Sequence, residues 1–121
     1  MKGKPLEMSL LFDFYGETLT EKQRELFDLY YNEDLSLGEI AENYGISRQG
    51  VRDVIVRAEA AMQEIEDKTG LIRRFMQMQP KITAIEEAAQ QIKTINYRQY
   101  ENPQLDKLVS DILENAEGLK E

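Results

Sequence analysis

The chain of 121 residues contains no cysteine and no histidine. Without cysteine it forms no disulfide and offers no thiolate to a metal. Without histidine it lacks the usual base at neutral pH and the commonest metal ligand. Its carboxylates, among them Glu64, Glu86 and Glu87, follow no calcium-loop spacing, and no glycine-rich phosphate loop is present. We therefore predict no catalytic residue, no metal site and no cofactor, and we expect that the protein is not an enzyme.

The sequence also lacks an apolar run long enough to span a membrane, an N-terminal signal peptide and the alternating pattern of β-strands. Hydrophobic residues make up 41% of the chain, which is enough to form a core. The length suits one domain, or a small domain with an extension. These features predict an all-α, cytoplasmic protein that does not insert into a membrane.

Residues Leu35–Ala58 are typical of a helix-turn-helix, in which two short helices are joined by a tight turn. Ser36 and Ser47 are favourable N-caps for the two helices, and Gly45 stands where a left-handed residue would end the first. The pattern predicts helices over 37–44 and from residue 48 to about residue 68. The apolar residues expected to face a shared core are Ile40, Tyr44, Ile46, Val51, Val54 and Ile55.

Two further helices are predicted before this motif. The first covers Leu6–Tyr15, includes Phe14 on its apolar face and ends at Gly16. The second begins after Thr20, which forms a capping box with Gln23, and runs to about Tyr31. Together with the motif these helices predict a helix-turn-helix domain over residues 1–70, with Gly70 as the break.

The second half of the chain has an apolar heptad pattern, which predicts a helical extension over residues 71–121. Pro80 lies inside this pattern, so either one helix is kinked there or a new helix starts. Residues 96–102 form a connector in which Tyr97 and Tyr100 stack on a nucleobase or pack on a helix, and Pro103 opens the last helix. Such helices fold as a hairpin or pair with a second copy, and we predict a homodimer. The predicted dimerisation residues are Phe75, Met78, Ile82, Ile85, Ile92, Leu105, Leu108 and Ile112.

The second helix of the motif carries the side chains best suited to DNA. Arginine pairs with guanine and glutamine with adenine, each through two hydrogen bonds, and a serine at a helix start can donate to a phosphate. The predicted DNA-binding residues are Ser47, Arg48, Gln49, Arg52 and Arg57. The alternative is that Arg48 and Arg52 merely solvate an exposed face and pair with Glu42 or with each other's neighbours.

The net charge of −8 opposes simple attraction to phosphates. Within residues 36–57 three arginines are balanced by Glu39, Glu42 and Asp53, so the motif itself is neutral. Asp53 lies beside the predicted DNA-binding side chains, where a carboxylate accepts a hydrogen bond from cytosine or repels the phosphate backbone. We expect DNA affinity to depend strongly on salt and on dimerisation.

The stretch from Leu19 to Met62, which includes EIAENYGISRQGVR, resembles the fourth conserved region of bacterial sigma factors. With FDFYGETLTEKQ before it and NPQLDKLVSDIL after it, essentially the whole chain resembles the YlxM family, small bacterial proteins encoded beside signal recognition particle genes. The resemblance implies a sigma region-4-like, winged-helix-like domain that binds DNA and regulates transcription. It further implies a part in the signal recognition particle pathway. The alternative function is that of a protein-interaction module, which binds the protein or RNA of the signal recognition particle rather than DNA.

Overall fold

The computed structural model describes the backbone of residues 5–120 and the side chains from Glu7 onwards. The ends of the two predicted domains, residues 1–4 and 121, and the side chain of Leu6 lie outside that range. The described residues form six α-helices and no strand, so the all-α prediction is confirmed. The helices are α1 Pro5–Tyr15, α2 Glu21–Tyr31, α3 Leu37–Tyr44, α4 Arg48–Thr69, α5 Leu71–Ile95 and α6 Pro103–Gly118. A short 3-10 turn, Gly16–Thr18, follows α1.

The chain divides into two compact units, Met1–Ile72 and Arg73–Glu121. The core of the first unit lies between α4 and the three helices that precede it. Its fully buried large side chains are Leu26, Phe27, Ile40, Val51, Ile55 and Met62. The stacked rings of Phe12 and Phe27, with centroids 4.9 Å apart, join α1 to α2.

Local capping bonds set the boundaries of the helices in the first unit. The side chains of Thr20 and Ser36 each accept a hydrogen bond from the backbone N–H three residues later. In return, the side chains of Gln23 and Glu39 accept from the backbone N–H groups of Thr20 and Ser36. The predicted capping box of Thr20 and Gln23 is therefore present, and Ser36, predicted as an N-cap, forms a second one with Glu39. Glycine at position 70 has φ +63°, the left-handed conformation that ends α4.

Two side chains predicted to lie in the core are partly exposed. Phe14 is 38% exposed and Tyr44 is 39% exposed. The Tyr44 hydroxyl instead donates to Glu25 Oε2 at 3.1 Å, on the surface between α2 and α3. Helical periodicity indicates which side of a helix faces the core, but it does not indicate how completely the neighbouring helices cover each position.

The second unit is an antiparallel pair formed by α5 and α6. Lys93 Nζ donates to Ser110 Oγ at 2.8 Å, and Lys120 Nζ, just beyond α6, lies 3.0 Å from Glu86 Oε1, so polar contacts join the second half of α5 to the α6 segment. Helix α5 continues through Pro80 without a second start. The predicted connector is a π-helical turn, Asn96–Tyr100, and α6 opens at Pro103 as predicted.

Candidate nucleic-acid interface

The turn between α3 and α4 sets the direction in which α4 starts. Gly45 has φ +66° and its N–H donates to the carbonyl of Ala41, which also accepts from Ile46 N at 3.2 Å. A non-glycine residue adopts this backbone conformation only with strain. The turn therefore keeps α3 short and starts α4 three residues after Gly45.

Helix α4 begins with donor groups and without acidic ones. Ser47 Oγ accepts from Gly50 N at 2.9 Å, which leaves the hydroxyl hydrogen of Ser47 able to donate to another group. No acidic residue lies in the first turn of α4. Unsatisfied N–H groups and the helix dipole make such a start favourable for a phosphate.

The buried face of α4 determines which of its residues point to solvent. Val51, Ile55, Ala58 and Met62 are fully buried at spacings of four and three residues. The exposed residues along the N-terminal half of the helix lie on the other side. These residues are Arg48, Gln49, Arg52, Asp53, Val56 and Arg57. We call this set, together with Ser47, the α4 surface.

Arg48 lies back over α3 rather than beyond the end of α4. A β-carbon at Gly38 would stand 3.2 Å from Arg48 Nε and 3.4 Å from Nη2. The absence of a side chain at Gly38 thus makes room for the guanidinium. Arg48 also lines a shallow depression between α3 and α4, with Ser36, Glu39 and Glu42 among its other walls.

Gln49 and Asp53 form a pair on the α4 surface that was missed from the sequence. Gln49 Nε2 donates to Asp53 Oδ1 at 2.9 Å. The two residues are four apart on a helix, a spacing at which side chains meet, so the sequence did contain the signal. The bond occupies one donor of Gln49 and part of the Asp53 carboxylate in the free protein.

Among the described residues no ion pair involves Arg48, Arg52 or Arg57. The structure thus shows no pairing of Arg48 or Arg52 with Glu42, and it shows exposed side chains, which both the DNA-binding interpretation and a solvated face require. By contrast, Lys68 at the far end of the same helix forms an ion pair, with its Nζ 3.0 Å from Glu64 Oε1. Because the three arginines are exposed and have no carboxylate partner in the part of the chain that the structure describes, their positive charge is available to an anionic ligand.

The residues predicted for dimerisation fall into two environments within the second unit. Ile82 is 3% exposed, and Phe75 is partly buried. The remaining six are exposed by 41% to 52%. These exposed residues are Met78, Ile85, Ile92, Leu105, Leu108 and Ile112. Four members of the predicted set, Ile82, Ile85, Leu108 and Ile112, line one apolar groove of about 530 Å³ between α5 and α6.

The part of the chain that the structure describes has neither a metal-binding cluster nor a membrane-spanning helix. Within it, no three side chains of the histidine, cysteine, aspartate or glutamate type are grouped so that they could hold a metal ion. In the same residues, no helix has the length and apolar character that crossing a membrane requires.

Comparison with known proteins identifies the family. A family model described as "Putative helix-turn-helix protein, YlxM / p13 like" matches residues 2–102. A UPF0122 protein of Thermoanaerobacter pseudethanolicus is 43% identical over 114 residues, 94% of each chain. One of Caldanaerobacter subterraneus is 51% identical over 87 residues, 72% of this chain and 74% of the relative. One of Halalkalibacterium halodurans is 48% identical over 88 residues, 73% of this chain and 81% of the relative. The chain therefore belongs to the UPF0122 family of YlxM/p13-like helix-turn-helix proteins.

Proposed function

We propose that the protein binds double-stranded DNA through the α4 surface and regulates transcription, with α4 placed in the major groove. The observation that carries the proposal is the set of three exposed arginines along the first half of a capped helix, none of which has an ion-pair partner among the described residues. Ser47 donates to a phosphate, and Arg52 and Gln49 contact base edges. The sigma region-4-like sequence around the motif supports the same placement of the helix.

The charge of the whole molecule limits how this binding works. At a net charge of −8 the protein is repelled by DNA beyond the α4 surface. Because only the α4 surface can contact phosphates, one copy of the protein gains little affinity from them. Two copies that bind two half-sites of the DNA therefore fit the proposal better than one. Six exposed apolar residues of the second unit supply a surface on which the second copy would pack.

The first test is a selection from random DNA duplexes at modest salt, followed by titration of the enriched sequence. Arg52→Ala is expected to weaken binding by about 1–3 kcal/mol and to relax the preference at one base position. Its matched control is Lys68→Ala, on the same helix but paired with Glu64 and distant from the α4 surface. A selection that enriches no sequence, or equal losses in the two variants, would contradict DNA binding by this surface.

The second candidate function is binding to the protein or RNA of the signal recognition particle. The excess of acidic side chains favours a basic partner over bare nucleic acid. The discriminating experiment titrates the protein and its Arg52→Ala variant against the particle's GTPase and RNA separately. Saturable binding that Arg52→Ala does not weaken favours this candidate, and absence of binding to both components removes it.

A further inference from the structure

The connector between α5 and α6 is held in one conformation by the side chain of Asn96. This amide is 4% exposed, donates to the carbonyl of Asn102 at 2.8 Å and accepts from the N–H of Asn102 at 3.0 Å. Between these two residues Glu101 has φ +47°, the left-handed region that non-glycine residues seldom adopt. Asn102 Oδ1 in turn caps α6 by accepting from Gln104 N and Leu105 N. The turn is thus a preorganised platform rather than a loose loop.

The platform presents aromatic rings to solvent. Tyr97 is 79% exposed and Tyr100 is 66% exposed, so neither ring packs on a helix. Tyrosine is among the residues that contribute most to protein interfaces, because it buries a large area at a small cost in conformational entropy. An exposed ring on such a turn indicates a contact surface, and the cleft beside Tyr97 decides which of the two rings takes part.

Tyr97 forms one wall of a small cleft of about 310 Å³. The other walls are Asn96, Glu101, Asn102, Pro103 and Asp106. Arg98 and Tyr100 are not part of it. The volume is at the small end of ligand sites, which suits a single side chain rather than a folded element.

The chemistry of the cleft is that of a cation site. Glu101 has no ion-pair partner among the described residues. Asp106 Oδ1 lies 3.5 Å from Lys93 Nζ, which also donates a hydrogen bond to Ser110. The face of an aromatic ring attracts a cation within about 6 Å, and adjacent carboxylates add to that attraction. The same carboxylates repel the phosphates of a nucleic acid, which argues against base stacking on Tyr97.

We propose that this cleft binds a lysine or arginine side chain from a basic segment of a partner protein. The net charge of −8 supports the assignment, because it steers cationic partners toward the molecule and slows the approach of anionic ones. The site is independent of the α4 surface. Failure of the DNA-binding test therefore leaves it standing.

The test titrates the full chain, labelled with ¹⁵N, with an arginine–glycine repeat peptide while backbone amide signals are recorded. Tyr97→Leu and Glu101→Gln are each expected to raise the Kd by about two- to fivefold, the range that 0.5–1 kcal/mol represents. Tyr100→Leu is the matched control, since this tyrosine is on the same turn but outside the cleft, and its Kd should be unchanged. A peptide with citrulline in place of every arginine should not bind.

Three results would overturn the proposal. The first is signal changes that spread over the acidic surface without a focus at residues 96–106. The second is an equal loss in Tyr97→Leu and Tyr100→Leu. The third is binding of single-stranded oligouridine that depends on Tyr97, which would identify a nucleobase platform instead.

Discussion

Tyr15 shows how one polar side chain can organise the end of the first unit. Its ring is buried, its hydroxyl donates to Glu66 Oε1 at 2.6 Å, and Thr69 Oγ1 lies 3.2 Å away. Glu66 Oε1 also accepts from the backbone N–H of Ile72 at 2.9 Å. Burial, and then the bond to Glu66, raises the pKa of the Tyr15 hydroxyl above its ordinary value of 10.0. The neutral phenol is therefore the form that stabilises the fold.

We expect Tyr15→Phe to lower the free energy of unfolding by about 1–3 kcal/mol, because Glu66 loses a donor in a partly buried site. The pKa of Tyr15 is raised in the folded protein, so its contribution is complete below about pH 10 and is lost as the pH rises through the folded-state pKa. Urea unfolding from neutral to alkaline pH measures both effects. The gap between wild type and Tyr15→Phe should narrow above pH 10.

Tyr97→Phe is the control, since that tyrosine is 79% exposed, and it should leave stability unchanged. A gap between wild type and Tyr15→Phe that stays constant through the alkaline range would show that the Tyr15 hydroxyl does not titrate as described.

At the scale of elements, the turn of the helix-turn-helix depends on backbone conformation rather than on space. A β-carbon at Gly45 would meet no atom within 4 Å, and the same is true at Gly118 in α6. Gly45 differs in its φ of +66°. Alanine at these two positions therefore separates the cost of the left-handed conformation from the effect of adding a methyl group.

Gly45→Ala is expected to destabilise the protein by about 1–2 kcal/mol, the cost of the left-handed conformation for an alanine. Gly118→Ala should be neutral or stabilise by up to about 1 kcal/mol, since alanine is the better helix former. Chemical denaturation followed by circular dichroism gives both values. If the two variants lose the same stability, backbone strain at residue 45 is not what makes glycine necessary there.

The sequence predicted the elements whose ends depend on local bonds. Ser36, Ser47 and Gly45 identified α3 and α4 because capping joins residues only a few positions apart. The sequence did not decide whether a helix continues through Pro80 or a new one starts there. The missing N–H of proline is a local cost, which the remaining turns of a 25-residue helix can offset. The exposure of Tyr44 depends on which helices lie nearby, and local sequence does not indicate this. Heptad spacing likewise does not indicate whether Ile85 packs against its own chain or against a second copy.

For the whole molecule, association depends on the exposed apolar side chains of the second unit. In α5, Met78, Ile85 and Ile92 are seven residues apart and nearly half exposed. In α6, Leu105 and Ile112 repeat the spacing. In a monomer this stripe of apolar side chains would be exposed to water. A second copy of the same hairpin could cover it.

We therefore predict that the protein is a dimer at tens of micromolar, and that Ile85→Lys converts it to a monomer. Light scattering behind a sizing column measures the mass directly. Thr83→Lys is the matched control, because it adds the same charge at an exposed position of α5 that does not line the groove. A clean monomer in the wild type, or loss of the dimer in both variants, would refute pairing through this surface.

The bond between Tyr15 and Glu66 also has a consequence for the order of folding during synthesis. The two residues are 51 positions apart, whereas α3 and α4 are joined by a turn of three residues. At about 5–20 residues per second, Tyr15 leaves the ribosome roughly three to ten seconds before Glu66. For that interval α1 can pack on α2 but lacks its contacts with the C-terminal turns of α4. The nascent chain should therefore be most vulnerable to proteases and most dependent on chaperones until the last turns of α4 emerge.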